Sequence, residues 1–132
     1  IDSNIFIFAA LNDDERGKTS RLLIKRIREG SEKAATSALT FDEVVWKVEK
    51  EKGLESALII GKSILDMPNL AIIEVNESTI SAAIQIMTNY KIDPRDAIHA
   101  ASALLRGIST LISEDSDFDK IKSLKIKGIM EI

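Results

Sequence analysis

The 132-residue chain has no cysteine, one histidine, one tryptophan, one tyrosine and two prolines. Without cysteine there is neither a disulfide framework nor a thiolate metal site. A single imidazole, His99, excludes a zinc site built on several histidines. Any metal held here must rest mainly on oxygen ligands, which favours Mg²⁺, Mn²⁺ or Ca²⁺. No apolar run approaches the roughly 18 residues of a membrane helix. There is no signal-peptide pattern either, so no membrane association and a cytoplasmic location are expected. The chain opens on Ile1 rather than Met, as a trimmed start would.

What is present reads as a globular protein. Apolar residues make up 45% and charged residues 30%, which argues against disorder. The length suits one domain, 1–132, large enough to bury a core. The spacing predicts helices at Arg21–Glu29, Thr40–Lys52 ending at Gly53, Leu54–Leu65 broken by Pro68, Glu77–Tyr90, and Asp93–Arg106 ending at Gly107. Strands are expected at Ala34–Leu39, Leu70–Val75, Ile108–Ser113 and Ile126–Ile132, with a short helix at Phe118–Leu124. The opening NIFIFAAL fits a strand or a helix capped by Asn4; helix is preferred. Strands alternating with helices indicate an α/β domain with a largely parallel, twisted central sheet flanked by helices.

The segment SEDSDFDK, Ser113–Lys120, carries Asp115, Asp117 and Asp119 in alternation, as a calcium loop would. An EF-hand needs Gly at its sixth position and Glu at its twelfth. Counting from Asp115 these are Lys120 and Ile126, so that reading fails. Asp2, Glu43, Asp96 and Asp115 instead share another property. Each falls just beyond an expected strand or in the first turn of the helix that follows, which is where open α/β sheets bind ligands. Every one also has a plain structural explanation. Thr40–Glu43 spells a capping box, Asp93 and Asp96 can cap one helix, and Asp115 can cap the next. If the four converge, their mutual repulsion favours a divalent cation.

Four stretches carry a family resemblance: IDSN (Ile1–Asn4), TFDEVVW (Thr40–Trp46), DPRDAIHAASAL (Asp93–Leu104) and LISEDSDFD (Leu111–Asp119). In this order they resemble the motifs of the PIN-domain ribonucleases, and the small single-domain form is similar to VapC-like toxins of toxin–antitoxin pairs. The resemblance implies a three-layer PIN-like domain that cleaves single-stranded RNA with Mg²⁺ or Mn²⁺. It assigns Asp2, Glu43, Asp96 and Asp115 as the metal-holding catalytic acids and Asp117 as a peripheral one. Asn4 and Ser113 would orient the carboxylates. A cognate antitoxin and a homodimer are implied as partners. One departure is that the apolar strand preceding the first Asp is reduced to Ile1, which puts the local support of Asp2 in question.

Acids number 21 and Lys plus Arg 18. Set aside the four candidate ligands, and bases outnumber acids by one. Lys18, Arg21, Lys25 and Arg28 recur along one helix side. They could follow a phosphate backbone or form a solvated face, and Arg95 is a further candidate RNA contact. Phe118 is expected to point inward, Asp119 and Glu114 to be solvated, His99 to pack or hydrogen-bond, and Trp46 to sit in the core or, as the next choice, in a partner groove against an antitoxin helix. Competing readings are a housekeeping RNA-processing or decay nuclease, and a non-catalytic RNA-binding module on the same fold. A Mg²⁺-dependent phosphatase or receiver domain fits less well, because no Lys is placed for it.

Overall fold

The opening stretch is a helix. In the computed structural model, which describes residues 1–132, α1 runs Ser3–Leu11. Its N-cap is Asp2, not Asn4: the Asp2 carboxylate accepts from Ser3 N at 2.7 Å. α2, Glu15–Glu29, starts earlier than its apolar spacing indicated, because Asp14 caps it through Gly17 N. Gly30 ends it with φ 81°, a left-handed position suited to glycine.

β1 (Ala34–Ser37) leads into α3 (Leu39–Leu65), which is broken at Gly53 with φ 83°. The break folds the second half back, so that Gly61 lies against Phe41 and Val45. β2 (Leu70–Ile73), α4 (Glu77–Tyr90), α5 (Pro94–Leu105) and β3 (Thr110–Ile112) follow the expected order with shorter strands. The end of the chain differs. The expected Phe118–Leu124 helix is a 3₁₀ turn at Ser116–Lys120. The expected last strand is β4, Lys125–Lys127, followed by a second 3₁₀ turn at Ile129–Glu131. Gly128 separates these two, and β-branched residues beyond it fold inward instead of extending: Ile129 is fully buried.

β1 pairs with β2 and β3 with β4, both parallel. Ile1 and Asp2 bridge the two pairs. The Ile1 amine donates to Ala35 O at 2.6 Å, Thr36 Oγ1 donates to Ile1 O at 2.8 Å, and Asp2 N donates to Ile112 O at 3.0 Å. Asp2 is therefore supported from both sides by β1 and β3, although only one residue precedes it. Side chains from successive strand residues face opposite ways. Leu111 joins a core formed with α4, α5 and Phe118; Ile112 packs on a second core formed with α1, α2 and α3. The result is three layers, with the central strands running toward one edge where Asp2, Ser37 and Ser113 end them.

Candidate metal centre

Asp2 enters the site from the bridge between the strand pairs and is 5% exposed. Ser113, two residues before Asp115, donates from Oγ to Asp2 Oδ2 at 2.6 Å. The same hydroxyl accepts from Asn4 Nδ2 at 3.1 Å and from Asp115 N at 3.0 Å. One buried oxygen thus connects the start of α1 to the end of β3. Asn4 Oδ1, on the same amide, is buried and has no donor.

Glu43 does not close a capping box. α3 begins one residue earlier than Thr40, its N-cap is Ala38 without a side-chain bond, and Thr40 Oγ1 pairs with Thr36 Oγ1 at 2.7 Å. The Glu43 carboxylate turns to α5, where Oε2 lies 2.6 Å from His99 Nε2. Asp93 likewise makes no side-chain cap bond on α5, leaving Asp96 in the first turn free to face the site. Asp115 does cap, accepting from Asp117 N at 2.9 Å through Oδ1. Phe118, fully buried, anchors this turn as expected.

The acids assemble in two adjoining groups. Ligand atoms of Asp2, Glu43 and His99 lie within 4.8 Å of one another, as do those of Asp96, Asp115 and Asp117. Asp96 joins them electrostatically. Burial, then the charges of Asp115 and Asp2, push its carboxyl up to about 7; His99 opposes this and Asp117 adds to it. Burial also acts to raise Glu43, but the His99 hydrogen bond and charge outweigh it, with Ser3 and Arg95 helping, and hold it below the ordinary carboxylate value. A cluster that keeps a proton at neutral pH carries more negative charge than its surroundings neutralise. A hard divalent cation fits the five carboxylates of these groups, and the donor-free Asn4 Oδ1 is an acceptor suited to a bound water.

The sequence matches the PIN domain over residues 1–124. The chain belongs to the PIN-domain family. Comparison with curated protein sequences gives no match. Solved structures share the fold of this PIN domain along nearly its whole length. VapC20 of Mycobacterium tuberculosis, described as a sarcin–ricin loop cleaving toxin, has a TM-score of 0.74 at 17% identity, over 91% of this chain and 92% of that one. VapBC2 of Rickettsia felis, bound to a DNA fragment from its promoter, gives 0.73 at 18% identity, over 96% and 95%. DNA-bound VapBC of Salmonella typhimurium gives 0.73 at 20% identity, over 97% and 95%.

Other expected residues of this PIN domain fall elsewhere. Lys18 pairs with Glu15 at 2.7 Å and Lys25 with Glu29 at 3.7 Å. Arg21 donates to Ala9 O and Asn12 O, closing the end of α1, and Arg28 donates to Ser63 Oγ. Arg21, Lys25 and Arg28 line a groove of about 360 Å³ floored by Phe6, Ile24, Ile64 and Met67. Arg95 is exposed next to Asp96. Trp46 is not in the core. It is 53% exposed, with Lys50 Nζ 3.7 Å from its ring centre. Val44 and Val48 take the inward side of α3, and a residue two positions from each points away. Asp119 and Glu114 are both exposed, and Glu114 also accepts from Ile129 N at 2.6 Å, which ties the last turn to the site loop. Ser3, which donates to Asp2, carried no signal in the sequence. His99 did, through its position one turn after Asp96.

Proposed function

We propose that this PIN domain is a metal-dependent endoribonuclease, the toxin of a toxin–antitoxin pair. The observation that carries this is convergence: Asp2 and Glu43, and beside them Asp96, Asp115 and Asp117, come from separate stretches of the chain to groups whose ligand atoms lie within 4.8 Å of one another, and burial together with Asp115 and Asp2 raises the Asp96 carboxyl to about 7. Asp2, Glu43, Asp96 and Asp115 would hold Mg²⁺ or Mn²⁺, with Asp117 at the edge of the set.

A bound divalent cation supplies a water of lowered pKa and offsets charge growing on the phosphate oxygens. The chain's part is preparation. Ser3 and Ser113 fix Asp2 and Asp117 N fixes Asp115, and Asp96 would have to give up its proton to hold the cation. Water would add to phosphorus as the bond to the ribose 3′ oxygen breaks, a proton from that water passing through solvent to the departing oxygen, which leaves a 5′ phosphate and a 3′ hydroxyl. Arg95 is the phosphate contact best placed for this, beside Asp96.

The Arg21, Lys25 and Arg28 side chains suit a different task. They rim an apolar groove, and an acidic amphipathic segment of an antitoxin would match both its floor and its charge. This takes the α2 face away from RNA and gives it to the restraining partner. Exposed Leu54, Leu58 and Ile59 provide apolar surface for a homodimer.

The test is incubation of short single-stranded RNA with wild type and Asp96→Asn, in Mn²⁺ or in EDTA. Cleavage by wild type in Mn²⁺ alone, absent in the variant, supports the reading. Cleavage that persists in EDTA overturns it.

A further inference from the structure

The chain's single histidine stands inside the acidic site, yet it cannot reach a substrate. His99 is 4% exposed, behind Glu43. Its Nε2 lies 2.6 Å from Glu43 Oε2 and 3.8 Å from Asp2 Oδ1. A nitrogen and a carboxylate oxygen at 2.6 Å need a proton between them, since two lone pairs would repel. While that bond stands, Nε2 has no lone pair for a cation.

Two of the neighbouring acids have donors of their own. Ser113 Oγ and Ser3 N serve Asp2, and Asp117 N serves Asp115. Glu43 projects from α3 on a longer, more mobile side chain, and its short bond goes to His99 across 56 residues of sequence. α5 places His99 three residues after Asp96, on nearly the same side of the helix. One turn of α5 therefore offers an acid to one group and a donor to the other.

We propose that His99 is a positioning residue, whose Nε2–H donates to Glu43 and holds that carboxylate oriented for a divalent cation. The role rests on the metal-centre reading above. It makes the α5 turn from Asp96 to His99 a two-part device that aligns α3 with the strand edge. Partners of this kind outside a metal's own ligands typically change affinity by about 10–100-fold.

The test compares full-length wild type, His99→Gln and His99→Leu. Glutamine retains an amide donor; leucine retains bulk without one. Nitrogen NMR of the one imidazole in wild type, at pH 8 in EDTA, reads the tautomer directly. Mn²⁺ binding by calorimetry and RNA cleavage kinetics complete the set.

The proposal expects a proton on Nε2. It expects His99→Gln to bind Mn²⁺ within about threefold of wild type and His99→Leu to bind about 10–100-fold more weakly. The KM for RNA at saturating Mn²⁺ should be unchanged in both, because His99 does not touch RNA. A proton on Nδ1 alone overturns it. So does a folded His99→Leu with wild-type Mn²⁺ affinity, or a His99→Gln as weak as His99→Leu, which would make the imidazole itself a ligand. Wild type that binds no Mn²⁺ overturns the metal-centre reading, and this role with it; the variant comparison alone bears on His99.

Discussion

Ser113 Oγ donates to Asp2 Oδ2 at 2.6 Å across 111 residues of sequence. The hydroxyl also accepts from Asn4 Nδ2 and Asp115 N, so its donor and both lone pairs are used. It is the junction at which the start of the chain meets the loop after β3. Its energetics follow from burial: a satisfied network costs nothing further, while a broken one leaves charge unpaired.

Ser113→Ala is accordingly expected to destabilise the protein by about 2–3 kcal/mol, since a hydrogen bond to a buried charged group is lost and two donors lose their acceptor. Chemical denaturation measures this. A change below about 0.5 kcal/mol would mean that the carboxylate finds another donor.

Asp96→Asn is expected to stabilise the cation-free protein at alkaline pH. The carboxyl rises from 3.8 to about 7 on folding, so the folded state binds more protons between those values. Its penalty is absent below about pH 4, grows as pH rises, and is complete above about 7. Asp96 is only partly buried, and solvent screening reduces the effect to roughly 1 kcal/mol, or a Tm higher by about 3–5 °C at pH 8. Melting in EDTA at pH 4 and pH 8 checks it: the variant's advantage should appear only at the higher pH.

Cation affinity is expected to follow the same proton. Below about pH 7 an entering ion must displace it, so the Mn²⁺ Kd should weaken by about tenfold per unit as pH falls from roughly 6.5 to 5.5. Calorimetry in buffers of different ionisation enthalpy should detect proton release near pH 6 and little at pH 8. Release independent of pH would remove Asp96 from the ligand set.

Trp46 is a convenient reporter because it is the only tryptophan. With its ring half exposed beside Lys50, emission should be that of a solvated indole and quenchable by iodide. Trp46→Ala should change stability by no more than about 0.5 kcal/mol. A blue-shifted, protected emission from the monomer would contradict the exposed placement.

Gly17→Ala is expected to destabilise strongly. A Cβ there would collide with the Asn12 carbonyl, a backbone group that cannot swing aside. Forcing α1 and α2 apart should cost about 1–3 kcal/mol, measurable as a lowered denaturation midpoint with an unchanged slope.

Local patterns made much of this legible. Apolar spacing marked α4 and α5, and the beginning of α3; Gly30 and Gly107 marked helix ends. Placement of acids beyond strand ends brought Asp2, Asp96 and Asp115 to one edge, because that depends only on element order and parallel pairing. Glu43 belonged to the same set, in the expected first turn of the helix after its strand, and the motif likeness to PIN domains gave the four acids a common role. Where cap and ligand readings competed, the folded chain resolved each differently. Asp115 and Asp2 do cap, Glu43 and Asp93 do not, and a cap motif cannot reveal which partner wins once α5 brings His99 within reach.

The linear chain determined its α/β alternation and the chemical character of its acids, because both arise from residues close in sequence. Tertiary structure alone decided the bridging of the strand pairs by Ile1 and Asp2, the engagement of Arg21 and Arg28 in helix packing, and the His99–Glu43 bond. Each depends on contacts between segments whose separation in sequence carries no local signal. Their energies come from burial and hydrogen-bond pairing, which exist only once the layers have closed on one another.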